Sequence, residues 1–153
     1  MKIAIVTGAS SGMGRKMVFR LADRYGGFQE IWVVGRRKER LDTLDGKVPV
    51  KLRKFPLDLT KKEDLEILAA ALAEKKPEVR FLVNAAGFGI TGPVGSFPEE
   101  EAASMVRLNG CDGVGPSLYF GQQPDPPVCF GRGLYAPAGI RRLCGHQGLC
   151  LKL

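Results

Sequence analysis

Residues 2–25, KIAIVTGASSGMGRKMVFRLADRY, set a short apolar run, a glycine-rich turn and an amphipathic stretch in direct succession. KIAIV (2–6) is rich in β-branched residues and stops at Thr7-Gly8, which predicts a strand. GMGRKMVFRLADRY (12–25) puts Met13, Met17, Leu21 and Tyr25 on one helical stripe, which predicts a helix packed on that strand. A strand delivered through a tight turn into a helix leaves few architectures open.

The pattern continues down the chain. EIWVVG (30–35), VKLRKFPLDL (50–59) and VRFLVNAAG (79–87) are three further apolar runs. Thr60-Lys61-Lys62-Glu63 has the spacing of a capping box and predicts the start of a helix carrying Leu65, Leu68 and Leu72. Ser96-Phe97-Pro98-Glu99 repeats that spacing ahead of a helix ending near Asn109. Strands alternating with amphipathic helices imply right-handed crossovers and a parallel sheet covered on both faces. The expected class is α/β with a doubly wound parallel sheet.

With 153 residues and 44% apolar content, the chain can bury one core of ordinary size. It has no run of eighteen apolar residues, and MKIAIVTG lacks a cleavage site, so neither a membrane span nor a secretory signal is expected and a cytoplasmic location is. The net charge of +7 is interleaved with acids, as in RRKERLD and KKEDLE, which reads as solvated helix faces rather than a nucleic-acid surface. Composition changes sharply at Asn109. All four cysteines (Cys111, Cys129, Cys144, Cys150) and the single His146 follow it, in 44 residues that hold nine glycines and five prolines and show neither helical nor strand periodicity. Two units are expected, an ordered 1–109 and an aperiodic tail, 110–153.

The chemistry enters at TGASSGMG, residues 7–14. Gly8 lets the chain turn sharply out of the strand, while Gly12 and Gly14 remove side chains that would keep a pyrophosphate from the helix N-terminus. In that context the loop predicts dinucleotide binding.

TGxxxGxG at the amino end, Asp58-Leu59 after the third run and Asn84-Ala85-Ala86-Gly87 after the fourth together resemble the short-chain dehydrogenase/reductase family over residues 1–109. The resemblance implies a Rossmann-like sheet, incomplete here, and hydride transfer between the nicotinamide of NAD(P) and the carbon of a small ketone or alcohol. It places Ser10, Ser11 and Met13 beside the diphosphate, Asp58 and Leu59 beside the adenine, and Asn84, Ala85, Ala86 and Gly87 on the path to the nicotinamide. A carboxylate at the end of the second strand would repel a 2′-phosphate; this chain has Arg36 and Arg37 there, which favours NADP over NAD.

The resemblance also implies a proton-transfer set: a tyrosine, a lysine four residues later, a serine thirteen before the tyrosine, and an asparagine. Asn109 matches the asparagine. Tyr119 and Tyr135 follow it, but neither has a lysine four positions on, and Lys152 is the only later lysine. A reading frame displaced by one base restores the set. Leu143 and Cys144 then yield tyrosine, Gln147 and Gly148 lysine, and Phe130 and Gly131 serine, in the family's spacing. Residues from somewhere between Gly110 and Gly121 onward therefore read as a frame-shifted, in effect truncated, dehydrogenase.

As a metal site, LCGHQGLC (143–150) lacks the Cys-x-x-Cys hook, so no metal is expected. An irregular tail would leave the fourth strand an open apolar edge, from which poor solubility and no family-type homo-oligomer are expected. The alternative function is a non-enzymatic NADP-binding or regulatory module. Sequencing the gene checks the frame: the expected codons are TTC at Phe130, TTA or CTA at Leu143 and CAA at Gln147, and any codon there that forbids serine, tyrosine or lysine ends the idea.

Overall fold

The computed structural model describes residues 1–93, 95–111, 128–131 and 151–152. Its strands are β1 (Lys2–Thr7), β2 (Glu30–Val34), β3 (Lys51–Phe55), β4 (Glu78–Asn84), β5 (Val128–Gly131) and β6 (Leu151–Lys152). They form one sheet in the order β3-β2-β1-β4-β5-β6, with every neighbouring pair parallel. The helices are α1 (Gly12–Arg24), α2 (Lys38–Asp42), α3 (Lys62–Lys75) and α4 (Glu99–Val106), the last running into a π-helical turn, Arg107–Cys111. The expected α/β, Rossmann-like parallel sheet is the one found.

The continuous apolar runs follow from burial on both faces. Along β1, Ile3 and Ile5 point to one side and Ala4 and Val6 to the other; along β2, Trp32 and Val34 oppose Ile31 and Val33. α3 covers the first side with Leu68, Ala71 and Leu72, joined by Phe55, Leu57 and Leu59. α1 and α2 cover the second with Val18, Leu21 and Leu41. A strand sealed twice cannot afford the polar alternation of a half-exposed one.

Local expectations were corrected at several points. The buried row of α1 is Gly14, Val18 and Leu21, whereas Met13 and Met17 are half-buried and Tyr25 is 46% exposed. Steps of four residues turn a helix through 400°, so a row at 13, 17, 21 and 25 winds away from the sheet; a row mixing fours and threes stays on it. Neither capping box forms. α3 has Lys61 at its N-cap with no side-chain cap, and the Thr60 hydroxyl donates to Asp58 Oδ1 (2.7 Å). α4 has Pro98 at its N-cap, and Ser96 Oγ donates to the Pro93 carbonyl (2.7 Å). In both, the Ser or Thr satisfies a nearby turn, a competing local bond open to short hydroxyl side chains.

The open edge expected on β4 is also absent. β5 pairs with it from Phe81 opposite Val128 to Asn84 opposite Gly131, and β6 pairs with β5 in turn. Four residues, VCFG, are too few to show a period, yet backbone pairing to a free sheet edge needs none. The edge-based argument for poor solubility therefore does not hold for β4. LCGHQGLC lies outside the described residues.

One polar residue is buried in β2. Glu30, 7% exposed, accepts from Lys51 Nζ (2.8 Å) and from the Trp32 indole (3.1 Å). Burial pushes its carboxyl upward, but the bonds from Lys51 and Trp32 and the charges of Lys51 and Arg53 outweigh it and leave the group below its ordinary 4.5. A depressed carboxyl contributes stability that is complete above its unfolded value and lost as pH falls through the folded one. Urea unfolding should show a stability decline that starts near pH 4.5, and Glu30→Gln should flatten that part of the profile.

Candidate dinucleotide site

The chain order places a crevice at the carboxyl ends of the strands. β1, α1, β2, α2 and β3 step outward in one direction, and α3 then carries the chain back across to β4 on the other side of β1. The loops after β1 and β4 thus diverge to opposite faces, and ligands of open α/β sheets bind where this reversal occurs. A cleft of about 180 Å³ lies there, lined by the loops after all four of these strands.

Of the residues expected from sequence, Gly8, Ser10, Ser11, Gly12, Met13, Arg36, Arg37, Asp58, Leu59, Ala85, Ala86 and Gly87 line this cleft together. Val34, Gly35, Leu57 and Leu108 line it too and were missed; each is apolar or glycine and carries no chemical signature in one dimension. Gly14, Asn84 and Asn109 do not line it.

The three glycines of the loop act differently. A Cβ on Gly8, whose φ is +67°, would stand 2.5 Å from the Ala85 carbonyl oxygen, so this glycine admits the β4 loop. A Cβ on Gly14 would collide with the carbonyls of Gly8 and Thr7, so this one lets α1 close against the end of β1. That corrects its expected role of clearing space for a pyrophosphate: the space it clears is filled by the chain itself. Only Gly12, with φ +56°, faces open volume, with nothing within 4 Å of a Cβ placed there.

Gly12 also opens α1, a helix of 13 residues with no acidic residue in its first turn and no side-chain cap from Ser11. The positive end of that helix is left without a carboxylate of the protein, facing the open space at Gly12. The residues present therefore fit a phosphorylated dinucleotide: an uncapped helix start, a bare glycine above it and a cleft beside it.

On the β2 side, Arg37 Nη2 donates to Ser11 Oγ (3.4 Å), linking the arginine pair to the glycine loop. On the β3 side, Asp58 Oδ1 accepts from the backbone N–H (3.1 Å) and hydroxyl (2.7 Å) of Thr60, and the Asp58 N–H donates to Asp64 Oδ2 (2.6 Å). Burial raises the Asp58 carboxyl, but the Thr60 bonds and the charges of Arg36 and Lys61 outweigh it and leave it below its ordinary value. The carboxylate is thus occupied in shaping its own turn.

After β4, the Asn109 carboxamide pairs with the main chain of one residue in both directions, Oδ1 accepting from Phe88 N–H (3.2 Å) and Nδ2 donating to Phe88 O (2.7 Å). The asparagine holds the loop that lines the cleft from behind. Asn84 Oδ1 is buried and has no hydrogen-bond partner among the described residues. These residues also hold no cluster of His, Cys, Asp or Glu suited to a metal ion, and no helix long and apolar enough to cross a membrane.

A family model described as short chain dehydrogenase matches residues 2–111. This chain belongs to the short-chain dehydrogenase family. Among its relatives, an NAD-dependent glycerol dehydrogenase of Listeria innocua is 28% identical over 109 residues, covering 71% of this chain and 41% of that protein. Among solved structures, a bulky-bulky ketone specific alcohol dehydrogenase from Comamonas testosteroni is 30% identical with a TM-score of 0.62, covering 71% of this chain and 44% of the other. A short-chain dehydrogenase from Sphingobium yanoikuyae in complex with NADPH is 29% identical, also at a TM-score of 0.62, covering 71% and 43%. The chain spans under half the length of each of these dehydrogenases. It is an oxidoreductase-family chain by this resemblance, and the family's general chemistry is NAD(P)-dependent.

The different roles of the glycines can be measured. Gly14→Ala should cost about 3 kcal/mol in urea unfolding, at the top of the range for overpacking because both colliding groups are backbone. Gly12→Ala should cost only about 1 kcal/mol, the penalty of a left-handed backbone for a residue with a Cβ.

Proposed function

We propose that residues 1–109 form the cofactor-holding part of an NADP-dependent oxidoreductase that moves a hydride between nicotinamide and the carbon of a small ketone or alcohol. The observation that carries the reading is the pair of guanidinium-bearing residues, Arg36 and Arg37, lining the cleft directly after β2. Planar guanidinium groups bind phosphate through paired, charge-assisted hydrogen bonds, whereas a carboxylate at this place would repel it. Relatives divide on the cofactor, one being NAD-dependent and another holding NADPH, so the arginines rather than the family support the choice.

In this reading Ser10, Ser11, Gly12 and Met13 hold the diphosphate against α1, and Asp58 and Leu59 flank the adenine. Ala85, Ala86 and Gly87, which follow Asn84 and whose first two N–H groups are held by the Thr7 hydroxyl, flank the route to the nicotinamide. The bound cofactor supplies the hydride. Asn109 acts as a positioning residue, fixing the loop after β4 through the Phe88 main chain. The protein is taken as cytoplasmic, with no nucleic-acid partner.

A second reading is favoured by one feature of the chain. Its 153 residues contain no tyrosine followed four positions later by lysine. We therefore propose that the polypeptide as written binds cofactor without turnover, residues 110–153 being a frame-shifted translation. A genuine tail would instead make it a non-enzymatic NADP-binding or regulatory module.

Titration of NADPH fluorescence against the full chain tests the first reading. Binding should be clearly tighter than for NADH, and Arg37→Glu should weaken NADPH tenfold or more, the loss of about 1.5–3 kcal/mol expected for a hydrogen bond to a charged group. Equal affinity for the two cofactors would overturn the assignment to NADP.

A further inference from the structure

A third arginine, outside the cleft, binds the far end of the short helix that follows Arg36 and Arg37. Arg15 sits in the first turn of α1, one residue beyond Gly14. Its Nη1 donates to the Arg40 carbonyl (3.0 Å) and its Nη2 to the Thr43 carbonyl (3.3 Å). Both carbonyls belong to the C-terminal end of α2, where backbone N–H partners run out and the Arg40 carbonyl also accepts from the Thr43 hydroxyl (2.8 Å). The guanidinium lies 5.8 Å from the Phe19 ring of its own helix.

α2 begins at the other end of the same short segment, with Arg37 at its N-cap, and Arg37 returns to Ser11 of the glycine loop. A closed circuit results: glycine loop to α1, Arg15 to the end of α2, back along α2 to Arg37, and Arg37 to Ser11. The segment is also fixed from beneath by the fully buried Leu41 and Leu44. On its far side Lys54 of β3 binds Asp42 (2.6 Å) and Asp45 (2.7 Å). Arg15 and Arg37 tie the two ends of the α2 segment to the start of α1, and Leu41 and Leu44 share a buried cluster with Val18 and Leu21 of α1.

We propose that Arg15 is a positioning residue for selectivity towards a 2′-phosphorylated ligand: by docking the end of α2 on α1, it holds Arg36 and Arg37 at a fixed distance from the glycine loop. The proposal rests on the reading of the cleft as an NADP site. Side chains already held in their binding arrangement lose less freedom when the ligand arrives, so loosening the C-terminal end of α2 weakens the contacts made by Arg36 and Arg37. The glycine loop meets this segment through the 3.4 Å bond between the Arg37 and Ser11 side chains, and its backbone N–H groups do not pass through α2. The effect therefore falls on the 2′-phosphate and spares the diphosphate.

The experiment compares Kd for NADPH and NADH on the full chain and on Arg15→Met and Arg15→Lys, with thermal unfolding of each. Arg15→Met should weaken NADPH about tenfold and leave NADH within about twofold, so that the preference shrinks. Arg15→Lys, able to reach only one carbonyl at a time, should fall between, and it decides the matter if Arg15→Met does not fold. A parallel loss of both cofactors, or an unchanged ratio in both variants, overturns the proposal. A wild-type chain without preference for NADPH would instead defeat the underlying cofactor reading, and this inference with it.

Discussion

The Thr7 hydroxyl, 1% exposed at the end of β1, is the contact on which the rest of this site depends. It donates to the Val83 carbonyl (3.4 Å) and accepts from the backbone N–H groups of Ala85 and Ala86 (3.1 Å each). One donor and two lone pairs are all a hydroxyl has, and here each is used. The bonds fasten the end of β1 to the loop that leaves β4, just where the two strands would otherwise part. Gly8 then brings the backbones closer than any side chain would permit, and Gly14 closes α1 against the same corner. The floor of the cleft is the surface of this knot, which is why its shape is set by backbone rather than by mobile side chains.

Several cations of the chain are paired within the described fold. Lys51 neutralises the buried Glu30, Lys54 bridges Asp42 and Asp45, Arg80 pairs with Glu78 and Arg107 with Glu100. Arg53 lies over the rings of Trp32 and Phe55, 5.1 and 5.4 Å from their centroids. Exposed pairs of this kind contribute little stability each, but they take cations out of any common patch. Arg36 and Arg37 differ from them in lining a concave surface, where charges act on a ligand in concert and with less screening by water.

The same division explains what sequence reasoning missed. Ser96 and Thr60 stand at the right distance from Glu99 and Glu63 for capping, yet the helices start later, at N-caps Pro98 and Lys61, and each hydroxyl donates into the preceding turn, to Pro93 O and Asp58 Oδ1. Asn109 was visible as a candidate, but its partner was not: Phe88 lies 21 residues away and contributes only its main-chain N–H and C=O. Arg15 was invisible for a like reason, since a cation on an amphipathic helix looks solvated until a distant helix end is laid beside it. Backbone acceptors carry no sequence signature, so bonds to them cannot be read from residue types.

The sequence by itself determined the alternation of strands and helices, the doubly sealed parallel sheet and the glycine turn after β1. These follow from local apolar runs and from φ values that only glycine adopts freely, both properties of short stretches of chain. It also determined the family, through three short motifs in order. Only the tertiary structure decided which glycine faces open space and which two are filled by neighbouring backbone, that β5 closes the edge of β4, and that Arg15 grips the end of α2. Each of these depends on the distance between backbones far apart in sequence. That distance is set by packing helices on both faces of one sheet, and no window of residues contains it.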